Sequence, residues 1–402
     1  MIGRAAILAG LVLAGLAAAV PAAAQEYVTS GTCDGFARVK LSTPAGLCVG
    51  LVARGIGFPR GVATIGSDVY VADLGARRPG RGRVLRFSRG GHGPVEVVLA
   101  GLDQPNGIAP APGGGLYVGV VGGIIRFDPR ARDPQGTVRP ILTGLPSDGL
   151  HMLTAFAVAP DGALLVNVGS ASDNCGTGRS ADRRKPCGEL ARVPPRGAIL
   201  RVRPLSNAAV DARKAQVVAI GLRNSMAMAF TPQGALLAAG NARDHINKAN
   251  PKLSDAELPH EPLVRVVHGA DYGWPYCFDN LRASPEYPRF DCRRKRAPER
   301  LLPPHAAPLG AAVARGGILG PGDRLLLAFH GYRPAGHRIV ALRLDGAGRT
   351  VGDLVDVVAG WEPNADHPRG APVGIAIASD GSIFIAEDRN GTLLRVSRVR
   401  GR

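Results

Sequence analysis

Apolar residues along this chain come in short runs, broken at regular intervals by turns rich in glycine, aspartate and asparagine. The clearest stretch is PVGIAIASDGSIFIAEDRNGTLLRVS, Pro372 to Ser397. It predicts three strands joined at Asp380-Gly381 and Asn390-Gly391, where glycine accepts the positive φ that a tight hairpin needs. Related stretches begin at Pro59 (PRGVATIGSDVYVAD), Pro105 (PNGIAPAPGGGLYVGV), Leu153 (LTAFAVAPDGALLVNVG), Asn224 (NSMAMAFTPQGALLAAG) and Pro308 (PLGAAVARGGILGPGDRLLLAF), which makes six copies. Most are preceded by a further β-rich run that closes on glycine and a large apolar residue: VEVVLAGL to Leu102, VRPILTGL to Leu145, AQVVAIGL to Leu222 and VDVVAGW to Trp361.

Four short strands per unit, repeated in fixed order, predict an all-β, six-bladed β-propeller rather than a sandwich or a solenoid. The ends agree with a ring. CVGLVARGI, Cys48 to Ile56, reads as a strand with no blade before it, and the last unit stops after LLRVS. The N-terminal strand is therefore expected to complete the C-terminal blade, which leaves no sheet edge open.

Residues 1–24 stand outside this pattern, with Arg4, an Ala/Leu-rich apolar run and a small-residue end. They read as a secretory signal, too short for a membrane span, so that a single propeller domain over 25–402 is exported to the periplasm. Six cysteines suit that route and fall into local pairs, Cys33 with Cys48, Cys175 with Cys187 and Cys277 with Cys292. Absence of a CxxC pattern argues against zinc. The net charge of +17 raises the question of nucleic acid, but the basic residues are scattered through turns with no aromatic-studded stripe. They are read as a solvated surface that favours anionic ligands. Long loops at 170–195, 241–268 and 271–304 are expected to gather over one face of the ring, where a site belongs.

Four constellations could carry chemistry there. His151, in GLHMLTAFAV, precedes the first strand of its blade at the channel mouth and is a natural general base. Arg223 and Asn224, in GLRNS, hold the equivalent place in the next blade and offer a planar fork and an amide. The GNARDHIN loop, Gly240 to Asn247, presents carbonyls and the Asp244 carboxylate, the hard oxygens that calcium prefers. His330, Tyr332, Arg333, His337, Arg338 and Arg369 could line the opposite wall.

These motifs in order (GLRN, NVGSASDNC, the NARD loop, ADYGWPYCFDN, HGYR and EDRNGTLLRV) resemble the soluble quinoprotein sugar and sorbosone dehydrogenases over nearly the whole mature chain. The resemblance implies pyrroloquinoline quinone (PQQ) above the channel, calcium beside it, and hydride transfer from a sugar while a histidine takes the hydroxyl proton. On that pattern His151 is the base, and Arg223, Asn224, Arg333 and Arg369 contact the cofactor. Asn241 and Ala242 would bind calcium through backbone carbonyls, with Asp244 beside them. A separate acceptor, quinone or cytochrome, would remove the electrons. Two departures stand out: Ala371 replaces an arginine common before the closing PVG, and HMLTAF lacks the polar residues that usually follow the histidine. A six-bladed calcium lactonase or a non-catalytic carbohydrate-binding propeller is the alternative.

Overall fold

The structure, a computed structural model, describes residues 27–176, 186–331, 333–361 and 370–399. The signal-like segment 1–24, Tyr332 and Arg369 lie outside the described residues. Six sheets, antiparallel apart from a two-residue parallel pairing at the outer edge of blades 2 and 3, form the six expected blades. Each inner strand, nearest the axis, starts at one of the repeated motifs: Pro59–Ile65, Ile108–Pro110, Phe156–Val158, Ala227–Phe230, Pro308–Arg315 and Pro372–Ile377 for blades 1 to 6. Each of these touches its two neighbours, and the last touches the first, so the ring is closed.

Closure happens in blade 6, as the ends of the sequence predict. Leu47–Ala53 pairs antiparallel with Thr392–Arg398, setting Val49 opposite Val396 and Leu51 opposite Leu394. Two further strands, Phe36–Val39 and Thr29–Cys33, extend the same sheet outward. The Cys33–Cys48 disulfide ties that edge, and Cys175–Cys187 and Cys277–Cys292 also pair as expected.

Tight packing at the axis explains the glycine in PRG, PLG and PVG. A Cβ on Gly61 would lie 2.3 Å from the Asn106 carbonyl oxygen, one on Gly310 2.0 Å from that of Val373, and one on Gly374 2.3 Å from that of Arg60. Farther out, six apolar clusters fill the spaces between neighbouring blades among the described residues. Phe384 and Leu393 of blade 6, for instance, meet Val71 and Phe87 of blade 1. Alternation thus buries both faces of a blade, with roughly 1.5–3 kcal/mol gained per fully buried large side chain.

The predicted loops need one correction. Residues 241–268 contain Glu261–Arg265 and residues 271–304 contain Arg300–Leu302, the third and fourth strands of blade 4. The uninterrupted excursions are therefore 241–260 and 266–299. EPLVR was hidden because no short turn joins it to Leu236–Ala239. The excursions clasp one another: the Tyr276 hydroxyl accepts the Cys187 N–H at 2.6 Å, and the Trp274 indole N–H donates to the Asp173 carbonyl at 3.1 Å. Among the described residues no helix is long and apolar enough to cross a membrane.

Candidate functional site

His151 stands on the connection into blade 3, and its surroundings decide its tautomer. Nδ1 lies 3.0 Å from the Ser170 carbonyl oxygen and 2.9 Å from Ser170 Oγ. A carbonyl only accepts, and the Ser170 hydroxyl already donates to the Ser172 carbonyl at 2.7 Å. Nδ1 must therefore carry the proton, which leaves the Nε2 lone pair free to accept one. Burial, then the nearby Arg223 charge, push the His151 pKa down to about 4, so the ring is neutral through the physiological range.

The backbone on which His151 rides is braced from below. Arg196, 1% exposed, donates to the Asp148 carboxylate, to the Asp148 carbonyl at 3.2 Å and to the Gly169 carbonyl at 3.4 Å. Gly169 lets the two walls approach: a Cβ there would sit 2.4 Å from His151 Cβ and 3.0 Å from Asn224 Oδ1. His151 and Asn224 are thus neighbours, as their equivalent places in the repeat predict.

Arg223 is the hub of the site and only 7% exposed. Nε donates to the Asp173 carbonyl at 3.0 Å, Nη1 to the carbonyls of Asn241 at 3.2 Å and Ala242 at 2.7 Å, and Nη2 to Asp173 Oδ1 at 2.7 Å and Asp244 Oδ2 at 3.3 Å. A guanidinium has five N–H donors, and all five have acceptors here. The three residues assigned to calcium, Asn241, Ala242 and Asp244, are therefore held together by the residue assigned to the cofactor. Their oxygens converge on a monovalent, planar donor and, as arranged, do not fit a calcium ion, which takes six to eight oxygens around one point.

A hydrogen-bonded belt runs around the axis at this level. Asn167 donates to Asn224 Oδ1 at 2.9 Å, Asn224 to Asn241 Oδ1 at 3.2 Å, and Asn241 to the Pro308 carbonyl at 3.1 Å, which spans blades 3 to 5. On the other side His330 Nε2 lies 2.9 Å from Asp388 Oδ1, and Arg60 donates to Asp388 Oδ2 at 2.7 Å and to Asn106 Oδ1 at 3.1 Å. Asn106 in turn donates to the Thr154 carbonyl at 3.2 Å, back on blade 3. Burial opposes ionisation of Asp388, but His330 and Arg60 overcome it and hold the carboxyl well below the usual range.

The remaining predicted residues divide. Arg333 gives Nη1 to the Asp255 carbonyl at 2.7 Å and Nη2 to its carboxylate at 2.6 Å, with the side chain still 40% exposed. His305 Nε2 meets the same Asp255 carbonyl and His305 Nδ1 lies 3.6 Å from Asp244, which links Arg333 to the Arg223 cluster. His337 is buried against the Gly370 carbonyl at 2.8 Å, and Arg338 pairs at 3.2 Å with Asp356 on the neighbouring strand. Neither joins the belt. Sequence reasoning missed Arg60, Asn106, Thr154, Asp173, Ser170, Glu261 and Asp388. Aligning the repeats would have found three of them: Arg60, Asn106 and Thr154 fall at one register position, answered in blades 4, 5 and 6 by Met226, Leu309 and Val373.

Glu261 fixes the NARD loop from beneath. Its carboxyl accepts the Ala242 N–H and, at 3.1 Å, the Ala307 N–H, and it is 3% exposed. Burial pushes its pKa up to about 7 despite these donors and the charges of Arg223 and His305. A raised carboxyl favours the protonated folded state. Its contribution to stability is full below pH 4.5, the ordinary value, and disappears as pH rises through about 7. Glu387, buried beside Asp388 in blade 6, shifts the same way to about 7. Urea unfolding should show a decline between those pH values, at up to about 1.4 kcal/mol per pH unit for each group. Glu261→Gln should make the decline shallower; an unchanged slope would show that this carboxyl is already ionised in the fold.

Comparison with known proteins agrees with this architecture. Residues 137–288, from the outer strand of blade 2 into the second excursion of blade 4, match the family described as Glucose / Sorbosone dehydrogenase. A protein of Borreliella burgdorferi, itself described only as uncharacterized, is 29% identical over 193 residues, 46% of this chain and 49% of that protein. The chain thus spans about half the length of this curated relative. Among solved structures, a Trichoderma reesei member of carbohydrate-active enzyme family AA12 superposes with a TM-score of 0.72 at 17% identity, covering 89% of this chain and 98% of that one. The holo PQQ domain of a pyranose dehydrogenase from Coprinopsis cinerea gives 0.70 at 17% identity over 91% and 99%. The PQQ-bound aldose sugar dehydrogenase of Streptomyces coelicolor gives 0.59 at 18% identity over 89% and 99%. At such identities the superpositions speak for the fold, while the matched segment holds His151, Arg223 and the NARD loop. Motif order, matched segment and ring agree: the chain is a six-bladed propeller whose residues 137–288 match the Glucose / Sorbosone dehydrogenase family.

Proposed function

We propose that this protein is an exported quinoprotein oxidoreductase that removes a hydride and a proton from a hydroxyl-bearing carbon of a sugar or sugar-derived aldehyde or alcohol. Its signal would be residues 1–24, its catalytic unit the single propeller from 25 to 402, and its compartment the periplasm. The observation that carries the reading is the His151 ring, held by Ser170 as the Nδ1–H tautomer with Nε2 open and neutral. That is the state a general base needs before it meets a hydroxyl.

The donor set supports an anionic cofactor in part. Arg333 keeps an exposed fork beyond its two bonds to Asp255, whereas Arg223 has no donor to spare. Carboxylate contacts to PQQ are therefore assigned to Arg333 and Arg369, with Asn224 offering the amide N–H that it does not give to Asn241. When bound, PQQ supplies the acceptor for the hydride that leaves the sugar carbon. His151 Nε2 takes the hydroxyl proton, Ser170 holds the ring in plane, and the Arg196 brace keeps residues 148 to 151 from drifting. A separate quinone or cytochrome would accept the two electrons.

Protein incubated with PQQ should change the visible absorption of the quinone and then reduce an artificial dye with a subset of sugars, aldoses and sorbosone-like aldehydes among them. No spectral change and no dye reduction with any sugar would overturn the reading and leave a carbohydrate-binding or lactone-hydrolysing propeller.

A further inference from the structure

We infer that the guanidinium of Arg223 occupies the cation seat formed by the Asn241 and Ala242 carbonyls and the Asp244 carboxylate, so that this loop takes no calcium. The inference concerns the chain's own loop and holds whether or not PQQ is the cofactor.

The case begins with valence. Both carbonyls accept from the same nitrogen, Nη1, at 3.2 and 2.7 Å, and Asp244 accepts from Nη2 at 3.3 Å. A dication at their focus would have to share those oxygens with a group that is already positive. A guanidinium does not yield by giving up its proton. It would have to swing away, and the surroundings oppose that. Asp173 grips it through both carbonyl and carboxylate, and Asp173 Oδ1 also accepts the Asp244 N–H at 2.9 Å. Arg243 shares this anionic group, pairing with Glu286 and lying 3.9 Å from Asp173 Oδ2. From below, Glu261 holds the Ala242 N–H, so the loop is fixed on both faces. Among the described residues no group of three or more His, Cys, Asp or Glu side chains could hold a metal instead.

Charge matching points the same way. A loop that presents dipoles and carboxylates to one point requires a cation there, and the chain supplies it covalently. Binding of an anionic ring above this loop should then be insensitive to chelators.

Trp274 gives a local reporter, because its indole N–H meets the same Asp173 carbonyl that Arg223 Nε does. The test uses the full exported chain without added PQQ, titrated with terbium under tryptophan excitation and, separately, melted in calcium or in chelator. The unaltered protein should give no sensitised terbium emission and the same Tm in both buffers. Arg223→Ala should gain terbium emission and a calcium-dependent rise in Tm, and the gain should disappear in the Arg223→Ala, Asp244→Asn double variant. If Arg223→Ala does not fold, Arg223→Gln provides the same readout with the volume kept. Terbium emission from the unaltered protein that Asp244→Asn abolishes would overturn the inference. So would a folded Arg223 variant that binds neither ion, since the loop would then be no cation seat at all.

Discussion

Replacing His151 by alanine should lower turnover by about 10²- to 10⁴-fold, the usual worth of a positioned general base, while Tm and PQQ affinity stay near those of the parent. Binding and chemistry separate because the ring contributes one hydrogen-bond donor to Ser170, whose hydroxyl keeps its own acceptor, the Ser172 carbonyl. The pH profile adds a second readout. With the pKa pushed down to about 4 by burial and Arg223, kcat/KM should stay flat through neutrality and fall only as pH drops through about 4. A histidine free of those influences would instead lose activity below pH 6.5. An alanine variant within a few fold of the parent would move the base elsewhere, and His330 beside Asp388 would be examined first.

Removing the Asp388 carboxylate should cost more stability than any surface change, about 3–5 kcal/mol, the range for stripping one partner from a buried ion pair. Arg60 is 4% exposed, and Asp388 is its charge partner at 2.7 Å. Asp388→Ala would strand that guanidinium and release His330 as well. Urea denaturation measures the loss, and replacing Arg60 and Asp388 together by apolar residues of similar volume should recover much of it, because no uncompensated charge then remains. A loss below about 1 kcal/mol would mean that water reaches Arg60 and that the belt is open there. The sign with pH is fixed too. A depressed carboxyl contributes stability above its ordinary value of 3.8 and loses it as pH falls below that toward its folded value.

The ring could be read in advance because its cause is local. Each Asp-Gly or Asn-Gly turn and each alternating run carries its own instruction, and the orphan strand at Cys48 matched the missing strand after LLRVS. Blade 4 was harder, since its last two strands are separated by excursions whose lengths no local rule fixes. The site was legible only as residue types. Arg223 stands out by its type and place in the repeat, but a fork that suits a carboxylate suits a pair of carbonyls equally. The choice is made by Asp173, far away in sequence and brought close by folding. Asp388 and Glu261 gave no warning because a carboxylate in a loop looks solvated until its neighbours are known.

Closing the ring in blade 6 also sets an order of events during biosynthesis. Val49 is made long before its partner, Val396. Until the final strand emerges, blades 1 to 5 can assemble only as an open crescent with two unpaired, apolar ends. Contacts of such long sequence separation form slowly, and exposed edges in partly made chains invite aggregation. Truncating the chain before Thr392 should therefore yield insoluble material and not a five-bladed ring, and any folding helper would act at the crescent stage, before blade 6 is complete.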